Sequence, residues 1–118
     1  TLIVDAYNAN PSSMEVALDN FAGIAADCKI ALLGDMRELG EDSAAEHLKL
    51  RRRVESMIAS GQLTSACFVG SEFARSGDSF ESSEALADYL RRKQIAGATI
   101  LIKGSRGVRM ENVIDALR

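Results

Sequence analysis

Four short apolar runs separated by helix-length segments predict an α/β domain: a three-layer, open and mostly parallel sheet with helices on both faces. Three observations carry that reading. The runs at 2–4, 30–33, 66–69 and 99–102 are continuous rather than alternating, as strands buried on both sides of a sheet require. The intervening segments repeat apolar residues at helical spacing. Polar, glycine-bearing loops follow the runs, where such sheets present their ligands.

The elements are justified in order. After the first run, Asn10 can cap a helix whose first position is Pro11, and Ser12 to Glu15 has capping-box spacing. Met14, Leu18, Phe21, Ala25 and Cys28 form its stripe. A second helix starts at Ser43 with Glu46 in the box position. Its stripe is His47, Leu50, Val54, Met57 and Ile58, and Gly61 ends it. Within it, Arg51-Arg52-Arg53 reads as a solvated face, and His47 as a packed core residue. A short fifth strand is expected near Ser79-Phe80. A third helix covers about 83–93 with Leu86, Tyr89 and Leu90 inward. The fourth covers about 108–117 with Met110, Val113, Ile114 and Leu117 inward. Neither an internal repeat nor a linker interrupts this order, so residues 1–118 are expected to form a single domain.

Composition excludes several functions. The chain has 118 residues, 47% hydrophobic, with a net charge of -3, so it has core enough to fold and no nucleic-acid footprint. No run reaches the roughly 18 apolar residues of a membrane span. Cys28 and Cys67 read as buried free thiols in a reducing, cytoplasmic setting, and no metal-ligand set is spaced in the sequence. A chain that starts at Thr1 and enters a strand at once reads as a domain excised from a longer enzyme, expected to be monomeric.

Chemistry is concentrated in three loops. Asp5-Ala6-Tyr7-Asn8-Ala9-Asn10-Pro11 opens onto a helix N-terminus, a place suited to anions. Gly34-Asp35-Met36-Arg37-Glu38-Leu39-Gly40-Glu41 follows the second run. Lys103-Gly104-Ser105-Arg106-Gly107-Val108-Arg109 joins cations, a hydroxyl and two glycines. All three should converge on one rim, with Gly70-Ser71-Glu72 as a weaker fourth member. Taken alone, the second loop reads first as a glycine turn with Asp35 as local cap, and the third equally as a turn with a basic helix start. Asn10 can serve both as cap and toward a ligand. No phosphate-cradling loop or nucleophile elbow is present in these 118 residues.

Together the loops resemble the C-terminal domain of the Mur ligases. The matching residues are Asp5 to Pro11 with Ser13-Met14, then Leu33 to Glu41 with Ser43 and His47, then Lys103-Gly104-Ser105-Arg106 with Arg109-Met110-Glu111. Sister ligases and folylpolyglutamate synthase carry a His-containing first loop. The Tyr7-Asn8-Ala9-Asn10-Pro11 version is similar to the branch that adds D-alanyl-D-alanine to UDP-N-acetylmuramoyl-tripeptide. Gly107 stands where a Ser is common.

The resemblance implies a Rossmann-like domain that closes over a central ATPase domain, itself preceded by an N-terminal UDP-binding domain. It implies ATP and Mg²⁺ in the full-length enzyme, an acyl phosphate in peptidoglycan precursor synthesis, and no cofactor bound by this domain alone. It places Asp5, Tyr7, Asn8 and Asn10 toward ATP, and Asp35, Lys103, Ser105 and Arg106 around the dipeptide. A stand-alone nucleotide-binding module is the alternative. A phospho-acceptor receiver would need an acidic acceptor where Gly70-Ser71-Glu72 stands.

Overall fold

Four parallel strands in the order β1-β4-β2-β3 form the sheet: β1 (Leu2–Asp5), β2 (Lys29–Gly34), β3 (Ser65–Val69) and β4 (Thr99–Lys103). They are seen in a computed structural model that describes residues 1–5 and 9–117, Asp5 by its backbone only. The chain runs β1, α1 (Pro11–Ala22), β2, α2 (Ser43–Ala59), β3, α3 (Ser71–Ala74), α4 (Ser83–Lys93), β4, α5 (Glu111–Leu117). After β3 it turns back and inserts β4 between β1 and β2. The loops after β2 and β4 therefore part toward opposite faces, which opens a crevice at the carboxyl ends of neighbouring strands.

The alternation of strand side chains divides the core in two. Ala31, Leu33 and Leu101 pack with Met14, Leu18 and Phe21 of α1, with Leu50 and Val54 of α2, and with Phe73 of α3. Ile30, Leu32, Ile100 and Ile102 pack with Leu86 and Leu90 of α4 and with Val113 of α5. The expected three-layer arrangement is thus present, and all the pairings are parallel.

The element ends depart from expectation in instructive ways. Helix α1 stops at Ala22, and the stripe positions Ala25 and Cys28 lie beyond it. Gly23 follows, and the Lys29 ammonium donates to the carbonyls of Phe21, Ala22 and Ile24 at 3.3, 3.2 and 2.9 Å. A buried lysine thus replaces the solvent that would satisfy the helix end. The capping box is formed by Asn10 and Ser13 rather than by Ser12 and Glu15. Helix α2 starts at Ser43 as expected, but that hydroxyl bonds Glu72 instead of capping.

Helix α5 begins at Glu111, later than expected. A single 3₁₀ turn, Arg106–Val108, and a left-handed Arg109 (φ 57°) intervene. The expected fifth strand is reduced to one parallel bridge between Val69 and Phe80. Ile58 is exposed instead of joining the stripe, and both cysteines are partly rather than fully buried. Burial pushes the Cys67 thiol up.

The arginine run is the largest correction. Arg51 is buried: its guanidinium donates to Ser76 Oγ at 2.9 Å, Phe73 O at 3.1 Å and Asp78 O at 2.8 Å, and lies 4.1 Å from the Phe68 ring centroid. Burial holds it below the ordinary arginine value. Arg53 pairs with Asp19 and Glu15 of α1, and the bond to Asp19 raises its pKa. Only Arg52 has the solvated character expected of all three.

Candidate functional site

The three polar loops meet, as their sequence positions require. Ala9 and Asn10 from the first, Arg37 to Leu39 from the second, and Ser105 to Gly107 from the third line a cleft of about 420 Å³. That is the size of a small-molecule pocket. Among the described residues, its charged groups are the guanidiniums of Arg37 and Arg106 and the Glu38 carboxylate.

The second loop is fixed by its backbone and by buried side chains. Asp35 N–H donates to Val69 O at 2.9 Å, and Asp35 O accepts Ser105 N–H at 3.1 Å. This ties the ends of β3, β2 and β4 together. The Asp35 carboxylate accepts the N–H groups of Glu72 at 3.0 Å and Phe73 at 2.9 Å, capping α3. Gly70 is required just before that helix. Its φ is +118°, and a Cβ there would collide with the Asp35 carboxylate.

Behind the loop, His47 is fully buried. Its Nε2 accepts Met36 N–H at 3.0 Å, and its Nδ1 lies 2.7 Å from Ser43 O. Glu72 accepts the Ser43 hydroxyl, and that bond holds its carboxyl below the ordinary glutamate value. His47 is thus packed, as expected, and it is also a hydrogen-bonding anchor.

The third loop is joined to the second. Arg37 Nε–H donates to Ser105 Oγ at 3.3 Å, and the Arg37 guanidinium lies over Gly107. Where β4 ends, Gly104 passes close to Gly34; a Cβ on Gly104 would lie 2.8 Å from Met110 Cγ and 3.1 Å from Gly34 Cα. Beyond Arg37 lies a second polar cleft of about 470 Å³, between Asp35, Gly70 and Ser71 on one side and Ser82, Glu84 and Arg109 on the other. Of the expected fourth member of the rim, Gly70 and Ser71 line this neighbouring cleft.

The anticipated site residues divide accordingly. Asn10, Ser105 and Arg106 line the first cleft. The Asn10 side-chain oxygen accepts Ser13 N–H at 2.9 Å, so its capping role is real. Asp35 lines the second cleft with its carboxylate on α3. Lys103 is buried at the end of β4 on the α1 side, among Ile3, Val16, Phe21 and Leu101. Tyr7, Asn8 and the Asp5 side chain lie outside the described residues.

Arg37, in the second loop, is a functional candidate that the sequence alone does not single out. Its position two residues past a buried strand-end aspartate was the available signal. Among the described residues, no three His, Cys, Asp or Glu side chains gather as a metal set.

Comparison with known proteins gives consistent matches. The sequence matches the family described as "Mur ligase, glutamate ligase domain" over residues 1–106. The UDP-N-acetylmuramoyl-tripeptide–D-alanyl-D-alanine ligase of Treponema pallidum is 35% identical, over 100% of this chain and 28% of that protein. Its Haemophilus influenzae counterpart is 36% identical, over 99% of this chain and 27% of that protein. The chain therefore spans just over a quarter of the length of these relatives. Among solved structures, the MurF ligase of Thermotoga maritima in complex with ADP superposes with a TM-score of 0.79 at 25% identity. MurF of Acinetobacter baumannii gives 0.80 at 28%. Each superposition covers 98% of this chain and 27% of the other.

Proposed function

The chain belongs to the Mur ligase family, as its glutamate ligase domain, and from that premise we propose that it is the closing C-terminal domain of an ATP-dependent ligase. The parent enzyme joins D-alanyl-D-alanine to UDP-N-acetylmuramoyl-tripeptide through an acyl phosphate, in the cytoplasm. The curated relatives named for that reaction and the ADP-bound structural neighbour support the substrates. The domain works against the other domains of the same chain and turns over no ATP alone.

One observation carries the reading: the three loops converge on a single cleft at the sheet's switch point. An acyl phosphate is lost to water unless the site closes, and the attacking amine must be held against it. A domain whose loops meet in one polar rim supplies both functions when it docks. In this reading Asp5, Tyr7, Asn8 and Asn10 face the nucleotide. Ser105 and Arg106 bind the dipeptide, with Lys103 and Asp35 behind them. Arg37, bonded to Ser105, joins the dipeptide group. A carboxylate taken from water needs charge-assisted hydrogen bonds, each worth roughly 1.5–3 kcal/mol.

The test is steady-state kinetics of the full-length parent with each substrate varied in turn. Arg106 is exposed, so Arg106→Ala should leave the fold intact. It is expected to lower kcat/KM for D-alanyl-D-alanine by about one to two orders of magnitude, with a smaller change for ATP. A large ATP defect with unchanged dipeptide use would move the third loop to the nucleotide side.

A further inference from the structure

We propose that His47 is a positioning residue: it sets the loop after β2 through the Met36 amide, and so places Arg37 at the cleft. The effect on catalysis rests on the function proposed above, but the structural part does not. His47 is a fully buried side chain on the apolar stripe of α2, where packing alone would favour an aliphatic residue. Its two nitrogens are engaged in opposite senses. Met36 N–H can only donate, so Nε2 is the bare acceptor at 3.0 Å. Ser43 O can only accept, so the proton is on Nδ1 at 2.7 Å. Both neighbours select the same neutral tautomer.

The ring is locked against rotation as well. Phe73 stands edge-on to it, with centroids 4.7 Å apart at 84°. Phe73 is itself placed by Asp35, whose carboxylate accepts its N–H. The Ser43 hydroxyl, beside Nδ1, is bonded to Glu72 on the same short helix. One imidazole therefore joins α2, the root of the second loop and α3.

Met36 is the hinge of the arrangement. Its side chain is buried, its N–H ends on His47, and the next residue donates to Ser105 in the third loop. Freeing the Met36 amide lets Arg37 leave Ser105, and the cleft loses its shared wall. The result is weaker dipeptide use without contact between His47 and any substrate.

Two isosteric halves of the imidazole provide the test. In His47→Gln the terminal oxygen can occupy the Nε2 position and keep an acceptor for Met36. In His47→Asn the amide can keep the Nδ1 donor but lacks that acceptor. In the full-length parent, Met36 amide exchange should stay slow in His47→Gln and accelerate about tenfold or more in His47→Asn, the worth of one neutral hydrogen bond. The KM for D-alanyl-D-alanine should rise about tenfold in His47→Asn and less than about threefold in His47→Gln, with the KM for ATP little changed. Selective ¹⁵N-histidine labelling should show the Nδ1–H tautomer of His47, its signal assigned by its loss in the variants. An Nε2–H tautomer overturns the proposal, as does equal impairment of the two variants. If the parent does not use the dipeptide at all, the functional reading fails, while tautomer and amide exchange still decide the positioning role.

Discussion

Apolar burial holds both faces of the sheet, and they differ in the buried polar bonds that accompany it. On the face covered by α1, α2 and α3, the buried polar residues Lys29, Asp35, Ser43, His47 and Arg51 each bond across elements. On the face covered by α4 and α5, the core is aliphatic. Polar links there include Asn112 Nδ2, which donates to Ser83 Oγ at 3.1 Å and to Glu84 Oε1 at 2.9 Å, near the rim. Apolar burial is strong but has no direction, whereas hydrogen bonds specify angle and register. The directional face is the one that holds the loop carrying Arg37. Apolar burial on both faces supplies stability; the polar network beside α1, α2 and α3 supplies the placement of the site.

This difference can be broken most forcefully from the apolar side. Leu86 is fully buried on α4. Leu86→Ala is expected to cost about 2–5 kcal/mol, read from the urea midpoint. Amide signals of Met36, Arg37 and Ser105 should not move in the folded variant. Movement of those signals would show that the faces are not separable. The second effect comes from the directional side. Asp35→Asn keeps one carbonyl oxygen but loses one of two charge-assisted acceptors on α3, a loss of about 1.5–3 kcal/mol. Here the same loop signals should shift, although the stability lost is no larger.

What was legible in the sequence follows the same division. The four main strands, the helix order and most of the aliphatic stripes rest on local periodicity and appear where the pattern puts them, with Ala25, Cys28 and Ile58 outside their stripes. The convergence of the loops follows from topology, since parallel strands end on one side. The buried charges were not legible. Arg51 stands in a run of three arginines, and nothing local marks it as the one that turns inward to Phe73 O and Asp78 O. Lys29 opens β2, and its partners lie at and just beyond the end of the preceding helix. The short helix α3 has no propensity signal of its own; it exists because Asp35, 36 positions before Ser71, caps it. Partners far apart in sequence leave no periodic trace.

A smaller effect is expected at Lys29. Replacing it by Met keeps the apolar stem and removes the donors to three carbonyls at the end of α1. Lysine at a helix carboxyl end contributes about 1 kcal/mol when partly buried. Lys29→Met should therefore lower stability by about that amount. Faster hydrogen exchange should be confined to the last turn of α1. Loss of protection across α2 as well would mean that the directional face behaves as one unit rather than as separate ties.

The smallest effect tests the outermost tie, between Ser43 and Glu72. The Ser43 hydroxyl holds the Glu72 carboxyl below the ordinary glutamate value, with Arg75 assisting. A carboxyl whose folded pKa is depressed binds its proton more readily in the unfolded chain. Its contribution to stability is therefore complete above the unfolded value, roughly pH 4.3, and is lost as pH falls through the folded value. Glu72 is partly exposed, so screening keeps this contribution small. Ser43→Ala removes the bond and returns Glu72 toward its ordinary value. The stability difference between the parent chain and Ser43→Ala should then be larger at pH 7 than at pH 3. In a Glu72→Gln background the same difference should lose its pH dependence. A Ser43→Ala cost that is equal at both pH values would show that the hydroxyl acts on His47 alone, and that the tie to α3 runs only through Asp35.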